Sequence, residues 1–217
     1  AEIFIRAIRG RYMVPDIAKV SGFNPFQLSD NNENRSFLIE FLKVLVAVGD
    51  QPLPAHEVER INEAVNGNYK LPFEKRRLRN IAPFMGIAGP GTLAGRLSMW
   101  HSDGSHAKLF DNAEDRIDFT SARSFGIEMA NILSDKISLS PVLLYLFHRI
   151  QSSLDGSPTM IVLDEAWALI GNQVFAPKIK DWLKVLRKLN TFVVFATQSV
   201  EDAAKSSISD TLVQQTA

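Results

Sequence analysis

The chain's 217 residues, 46% of them hydrophobic, are enough to bury a full core, and one domain is the simplest expectation. Lysine plus arginine equals aspartate plus glutamate at 24 each, so no net field recruits nucleic acid or anionic lipid. With no cysteine there is no disulfide, and a structural zinc site is disfavoured; the composition fits a reducing compartment.

In chain order, Ile3, Phe4, Ala7 and Ile8 fall on one helical face, and Gly10 suits the position after a helix end. Residues 11–14 read as a strand stopped by Pro15, and Ser21-Gly22-Phe23-Asn24-Pro25 is turn chemistry. Asn34 is the expected cap of a helix over 35–48, whose Phe37, Leu38, Phe41, Leu42 and Leu45 recur at helical spacing. This is the longest apolar stretch, but Glu40 and Lys43 interrupt it, well short of the roughly 20 uncharged residues of a spanning helix. Any membrane association is therefore expected to be peripheral. A second helix is expected from Pro54 to Gly67.

Lys75, Arg76, Arg77 and Arg79 form the densest basic cluster, read as a solvated helix face because no aromatic residues interleave with it for base stacking. Residues 86–92 run Gly, four residues, Gly, Thr, the outline of a phosphate-binding loop without its lysine. They follow a probable helix end rather than a buried strand, so they read as a linker. A helix over 92–100 leads to a polar loop holding His101 and His106, which lack further ligands at metal spacing. Residues 107–110 and 117–119 are expected to pair as a small hairpin around Asp111-Asn112, and 127–133 to form a short amphipathic helix. An apolar helix is expected over 141–154 with Pro141 in its first turn. His148 on it reads as a packing residue, since no Gly-x-Ser-x-Gly elbow supplies a nucleophile.

The most informative stretch is 160–199. Met160, Ile161, Val162 and Leu163 follow turn residues and end abruptly at Asp164 and Glu165, the pattern of a strand buried on both faces. Acidic groups at the carboxyl end of such a strand sit where ligands of open α/β sheets bind. Asp164 there is suited to hold Mg²⁺, directly or through water, and Glu165, facing the other way, to polarise a water attacking a γ-phosphate, as in a Walker B element. One helix later a second strand, 191–196, ends in Thr197-Gln198-Ser199. A right-handed strand–helix–strand unit sets the two strand ends side by side or one strand apart. Gln198 then lies within reach of a terminal phosphate or its attacking water, and Thr197 joins it as a nucleotide contact. On the intervening helix Ile179, Trp182, Leu183, Leu186 and Leu189 share one side and Lys180, Lys184, Arg187 and Lys188 an adjoining arc. That arc serves solubility, or it offers Arg187 or Lys188 to the phosphates of a neighbouring subunit.

Val162-Leu163-Asp164-Glu165-Ala166-Trp167, Leu186-Arg187-Lys188-Leu189-Asn190 and Phe195-Ala196-Thr197-Gln198-Ser199 together resemble the type IV secretion and conjugation ATPases of the VirB, TrbE and CagE group. Further blocks in the same order, including Gly22-Phe23-Asn24-Pro25, Leu109-Phe110-Asp111-Asn112 and Tyr145-Leu146-Phe147-His148-Arg149, extend the likeness over most of the chain. The resemblance implies an α/β, RecA-like P-loop NTPase core of mostly parallel sheet. It places a helical insertion over 30–105 and the Walker B and sensor core over 140–217. It also implies ATP and Mg²⁺ as ligands, self-association as a hexamer or dimer, other secretion subunits as partners, and a peripheral place at the cytoplasmic face of a bacterial inner membrane. Catalytic roles fall to Glu165, Gln198 and Arg187, and Asp164 takes the metal.

The sequence departs from that family in one respect: the glycine-rich phosphate loop with its lysine, expected before Ala1, is missing from these residues. The 217 residues alone are therefore expected not to bind nucleotide tightly or to turn it over. Two rivals remain at this level. One keeps the fold as a DNA-translocating or helicase-like motor, although the balanced charge gives DNA contact no support. The other is a non-catalytic docking module built on Trp100 and residues 141–154.

Overall fold

A computed structural model describes residues 1–49, 51–164 and 176–196, in two compact units, residues 1–145 and 146–217. In the first unit, helix α1 (Glu2–Ala7) leads into strand β1 (Arg11–Met13), which pairs in parallel with β2 (Phe125–Ile127), Arg11 opposite Phe125. The apolar side of α1 faces solvent, with Ile3 88% and Phe4 66% exposed. Arg9, not Gly10, takes the left-handed turn at the helix end, with φ 61°. Gly10 is required instead by space: a Cβ there would lie 2.8 Å from the Ser124 carbonyl oxygen.

The core of this unit lies between α2 (Asn32–Val46) and α3 (Ala55–Lys70). The cap of α2 is Asn31, whose side chain accepts from the Asn34 N–H at 2.8 Å. Asn34, expected as the cap, lies inside the first turn and donates to the Ser29 carbonyl at 2.9 Å. Phe37, Leu38, Phe41, Leu42 and Leu45 are buried as their spacing predicts. α3 runs through Gly67, not to it, and the glycine is there for space: a Cβ would meet Phe84 Cζ at 2.4 Å. Phe23, Phe26, Phe110 and Tyr145 close an aromatic cluster around Phe41, with Phe41 edge-on to Phe110 at 4.9 Å. At the end of α2 the Trp100 indole donates to the Leu45 carbonyl at 2.9 Å, satisfying one of the acceptors a helix end leaves open.

The short helices of this unit correct three expectations. Residues 107–110 form helix α6 (Ala107–Phe110), closed by Asp111 N–H donating to the Ala107 carbonyl at 2.9 Å, and residues 117–119 form no strand. The cause is Asn112: its amide donates to the carbonyls of Phe23 (2.9 Å) and Leu109 (3.1 Å), which makes it a buried plug and not a hairpin turn. Residues 127–133 divide between the end of β2 and helix α7 (Ala130–Leu133), because Glu128 N–H is drawn into the parallel pairing by the Met13 carbonyl at 2.9 Å. The basic cluster is only partly a solvated face: Lys75 is exposed, but Arg77 and Arg79 grip the buried carboxylate of Asp111, and the Arg76 guanidinium lies 5.3 Å over the Tyr69 ring. Residues 86–92 connect helices as expected, and Thr92 caps α5 (Leu93–Leu97) by accepting from Gly95 N–H at 3.1 Å. α4 (Leu78–Ile81) packs against α3.

Helix α8 (Lys136–Ser153) begins five residues before Pro141, which is therefore interior. The carbonyl that Pro141 leaves without an intrahelical donor belongs to Ile137, a residue 54% exposed, so water can serve it. Asp135 opens the helix, its side chain accepting from Ile137 N–H at 3.2 Å.

In the second unit, β3 (Thr159–Leu163) and β4 (Thr191–Phe195) are parallel neighbours joined through α9 (Ala176–Lys188), which packs on β4. Ile179, Trp182, Leu183 and Leu186 form the buried side of α9, and Trp182 meets Phe147 edge-on at 4.1 Å. β3 is not buried on both faces as its sequence suggests. Met160 and Val162 are 59% and 55% exposed, and their β4 partners Phe192 and Val194 are exposed beside them. A run of apolar residues cannot by itself distinguish a strand covered on two sides from one covered on one.

Candidate functional site

Asp164 is the first residue beyond β3, exposed at a turn, and Ala196 the first beyond β4. The ladder runs in step from Thr159 beside Thr191 to Leu163 beside Phe195, and closes with Ala196 N–H donating to the Leu163 carbonyl at 2.9 Å. Asp164 and Ala196 therefore leave the carboxyl ends of adjacent parallel strands, about 4.8 Å apart in the pairing direction. The expected side-by-side delivery is what the fold provides for Asp164. Glu165, Thr197 and Gln198 lie outside the described residues.

Arg187 is exposed near the end of α9, alongside Lys184 and Lys188; Lys184 is paired with Asp181 at 3.2 Å. That end of the helix feeds the amino end of β4. Five strand residues, at about 3.3 Å each, separate it from the carboxyl end where Asp164 sits, further than one arginine side chain reaches. Asp164 and Arg187 of one chain thus stand at opposite ends of the same strand pair.

The histidines occupy other surroundings. His106 is buried against Trp100, one ring nitrogen 2.9 Å from the Asp135 carboxylate and the other 2.8 Å from the Ser105 hydroxyl. Burial lowers the pKa of His101. Burial, with Arg149 nearby, pushes His148 down to about 4, so it is neutral at pH 7. Among the described residues no three His, Cys, Asp or Glu side chains cluster as metal ligands, and no helix is long and apolar enough to cross a membrane. Two features carry little mark in the sequence: the Asp111 hub, and the turn at Asn190, whose place two residues after the end of α9 is the available signal.

The family description "TraG P-loop domain" matches residues 93–217, more than half of the chain and all of the strand–helix–strand unit. The chain belongs to the TraG P-loop domain family. Relatives of this P-loop domain include the conjugal transfer protein TrbE of Rhizobium radiobacter, 36% identical over 194 residues, 89% of this chain and 23% of that protein. The type IV secretion system protein virB4 of Bartonella quintana is 32% identical over 99% of the chain and 27% of its own length. PtlC, a type IV secretion system protein of Bordetella pertussis, is 32% identical over 100% of the chain and 27% of its length. The chain thus spans about a quarter of these relatives. Among solved structures, VirB4 of Thermoanaerobacter pseudethanolicus superposes with a TM-score of 0.66 at 16% identity, over 96% of this chain and 62% of that one. The fold is accordingly the RecA-like α/β fold of a P-loop NTPase.

Proposed function

We propose that the chain is part of an ATP-hydrolysing motor that powers type IV secretion, driving pilus assembly and substrate transfer. The observation that carries this reading is the parallel β3–β4 pair, within the matched P-loop domain, that delivers Asp164 beside the end of β4. An exposed carboxylate at a strand end fits the hard oxygen ligands Mg²⁺ prefers. Bound with a triphosphate, that ion neutralises charge developing on the phosphates. In this reading Asp164 holds it through water, Glu165 takes the proton of the attacking water, and Thr197 and Gln198 contact the nucleotide. Arg187, far from Asp164 of its own chain, serves the phosphates of a neighbouring subunit in an assembled hexamer or dimer. Further secretion subunits would be its partners, at the cytoplasmic face of a bacterial inner membrane.

In the full-length protein Asp164→Asn is expected to raise the Mg²⁺ concentration for half-maximal ATP hydrolysis about tenfold, close to 1.4 kcal/mol. An unchanged magnesium requirement would remove Asp164 from the site. These 217 residues contain no Gly-x₄-Gly-Lys-Ser/Thr loop. Alone they are expected to show no heat of ATP·Mg²⁺ binding at micromolar concentrations, because the backbone cradle and ammonium for the phosphates are lacking. Micromolar affinity by calorimetry would overturn that expectation.

A further inference from the structure

Three non-glycine residues among those described have positive φ, and Asn190, at 55°, is the one beside the proposed hydrolysis site's strands. α9 ends with Leu189 N–H donating to the Leu186 carbonyl at 2.9 Å, and the left-handed turn at Asn190 directs the chain into β4. In that conformation Asn190 holds the turn before β3 at two points. Its carbonyl accepts from Thr159 N–H at 3.2 Å, and its side-chain amide donates to the Gly156 carbonyl at 3.2 Å. The first of these bonds is the opening rung of the ladder, and the register that begins with Thr159 beside Thr191 ends with Leu163 beside Phe195. Both strands have five residues, so what is fixed at their amino ends decides what stands beside Asp164 at the other. A slip of one residue would set Asp164 next to a different β4 position and turn alternate side chains to the opposite face.

We infer that Asn190 is a positioning residue for the proposed site: its left-handed backbone, which presents its carbonyl to Thr159 N–H, sets the β3–β4 register that brings Asp164 beside the end of β4, with its side-chain bond to Gly156 a lesser support. This rests on the role given to Asp164 above. Asn190 touches no phosphate; it acts through the strand pair. Asparagine and glycine enter the left-handed region readily, whereas β-branched residues are genuine outliers there.

The test compares Asn190→Val, Asn190→Ala and Asn190→Gly in the full-length ATPase, with Asp164→Asn as reference. A second readout uses Val162→Cys with Val194→Cys, register partners on the exposed face, in a cysteine-free background bridged by a short bifunctional thiol reagent. Asn190→Val is expected to lower kcat about tenfold with KM for ATP nearly unchanged, and to lower the cross-linking yield, since a small misplacement of reacting groups costs that much. Asn190→Ala, a milder block on the left-handed conformation, moves both in the same direction should the valine variant not fold. Asn190→Gly stays within about threefold on both, because glycine keeps the turn and the Thr159 bond. Valine and alanine variants with parental cross-linking and kcat would overturn the inference, as would a glycine variant that falls as far as valine. If Asp164→Asn leaves the magnesium requirement unchanged, the hydrolysis reading fails by itself, and the cross-linking yield still decides the role of Asn190 in register.

Discussion

Asp111→Ala is expected to lower the unfolding free energy by about 3–5 kcal/mol, read as a fall in the urea midpoint. The Asp111 side chain is fully buried and carries one charge against two guanidiniums, Arg79 Nε at 2.7 Å and Arg77 Nε at 3.3 Å. It also accepts from the backbone N–H groups of Arg79 at 3.1 Å and Ser102 at 2.9 Å. Alanine would leave all four donors facing a cavity. Arg77 and Arg79 retain 22% and 43% side-chain exposure and can regain some hydration, which places the loss nearer 3 than 5 kcal/mol, about what one broken buried pair costs. Asp111→Asn should cost nearly as much: Arg79 N–H goes to one carboxylate oxygen and Ser102 N–H to the other, so an amide keeps an acceptor for only one of them and turns its NH2 toward the second. An alanine variant with an unchanged midpoint would mean that Arg77 and Arg79 are as well served by water, and that the cluster is the solvated face its composition suggests.

That cluster shows where sequence reading reached its limit. Four cations close together in sequence imply a wet surface only if nothing distant meets them, and Asp111 lies 32 residues beyond Arg79. Asn112 misled for a related reason. Asp-Asn between two short apolar runs is good turn chemistry, yet its amide is spent on carbonyls of a segment some ninety positions earlier, and the flanking run coils into α6. Helices were legible because their signal is periodic: the buried sides of α2 and α9 hold the residues their spacing marks. Their ends were less so, since Asn31 and Asn34 are equally good caps in isolation and only the position of the first turn decides between them.

The candidate site was legible for the same reason that its setting was incomplete. A strand ending in a carboxylate, then a helix with one apolar side, then a second strand, is a local pattern, and the parallel pair with Asp164 at its rim follows from it. Whether a strand is covered on one face or two depends on what packs there, and Met160, Val162, Phe192 and Val194 carry no mark in sequence that shows one face open. The register is equally unmarked in sequence, because the hydrogen bonds by which Asn190 in its left-handed turn holds it join residues about thirty positions apart.

Glu165→Gln in the full-length protein is expected to lower kcat for ATP hydrolysis by about 10²–10⁴-fold with nucleotide affinity retained, measured by steady-state turnover beside equilibrium binding. The substitution keeps the size of the side chain and removes its capacity to take a proton, so a group acting on the attacking water loses function while one acting on bound nucleotide does not. Its neighbour provides the contrast. Asp164, beside the end of β4, is proposed to act through the metal ion, so Asp164→Asn shifts the magnesium requirement, whereas Glu165→Gln should leave that requirement where it is. Two adjacent carboxylates with separable defects are what a strand end dividing metal binding from proton transfer must show. If both substitutions merely weaken nucleotide binding to the same degree, the pair serves only to hold the triphosphate, and the water must be activated by another group.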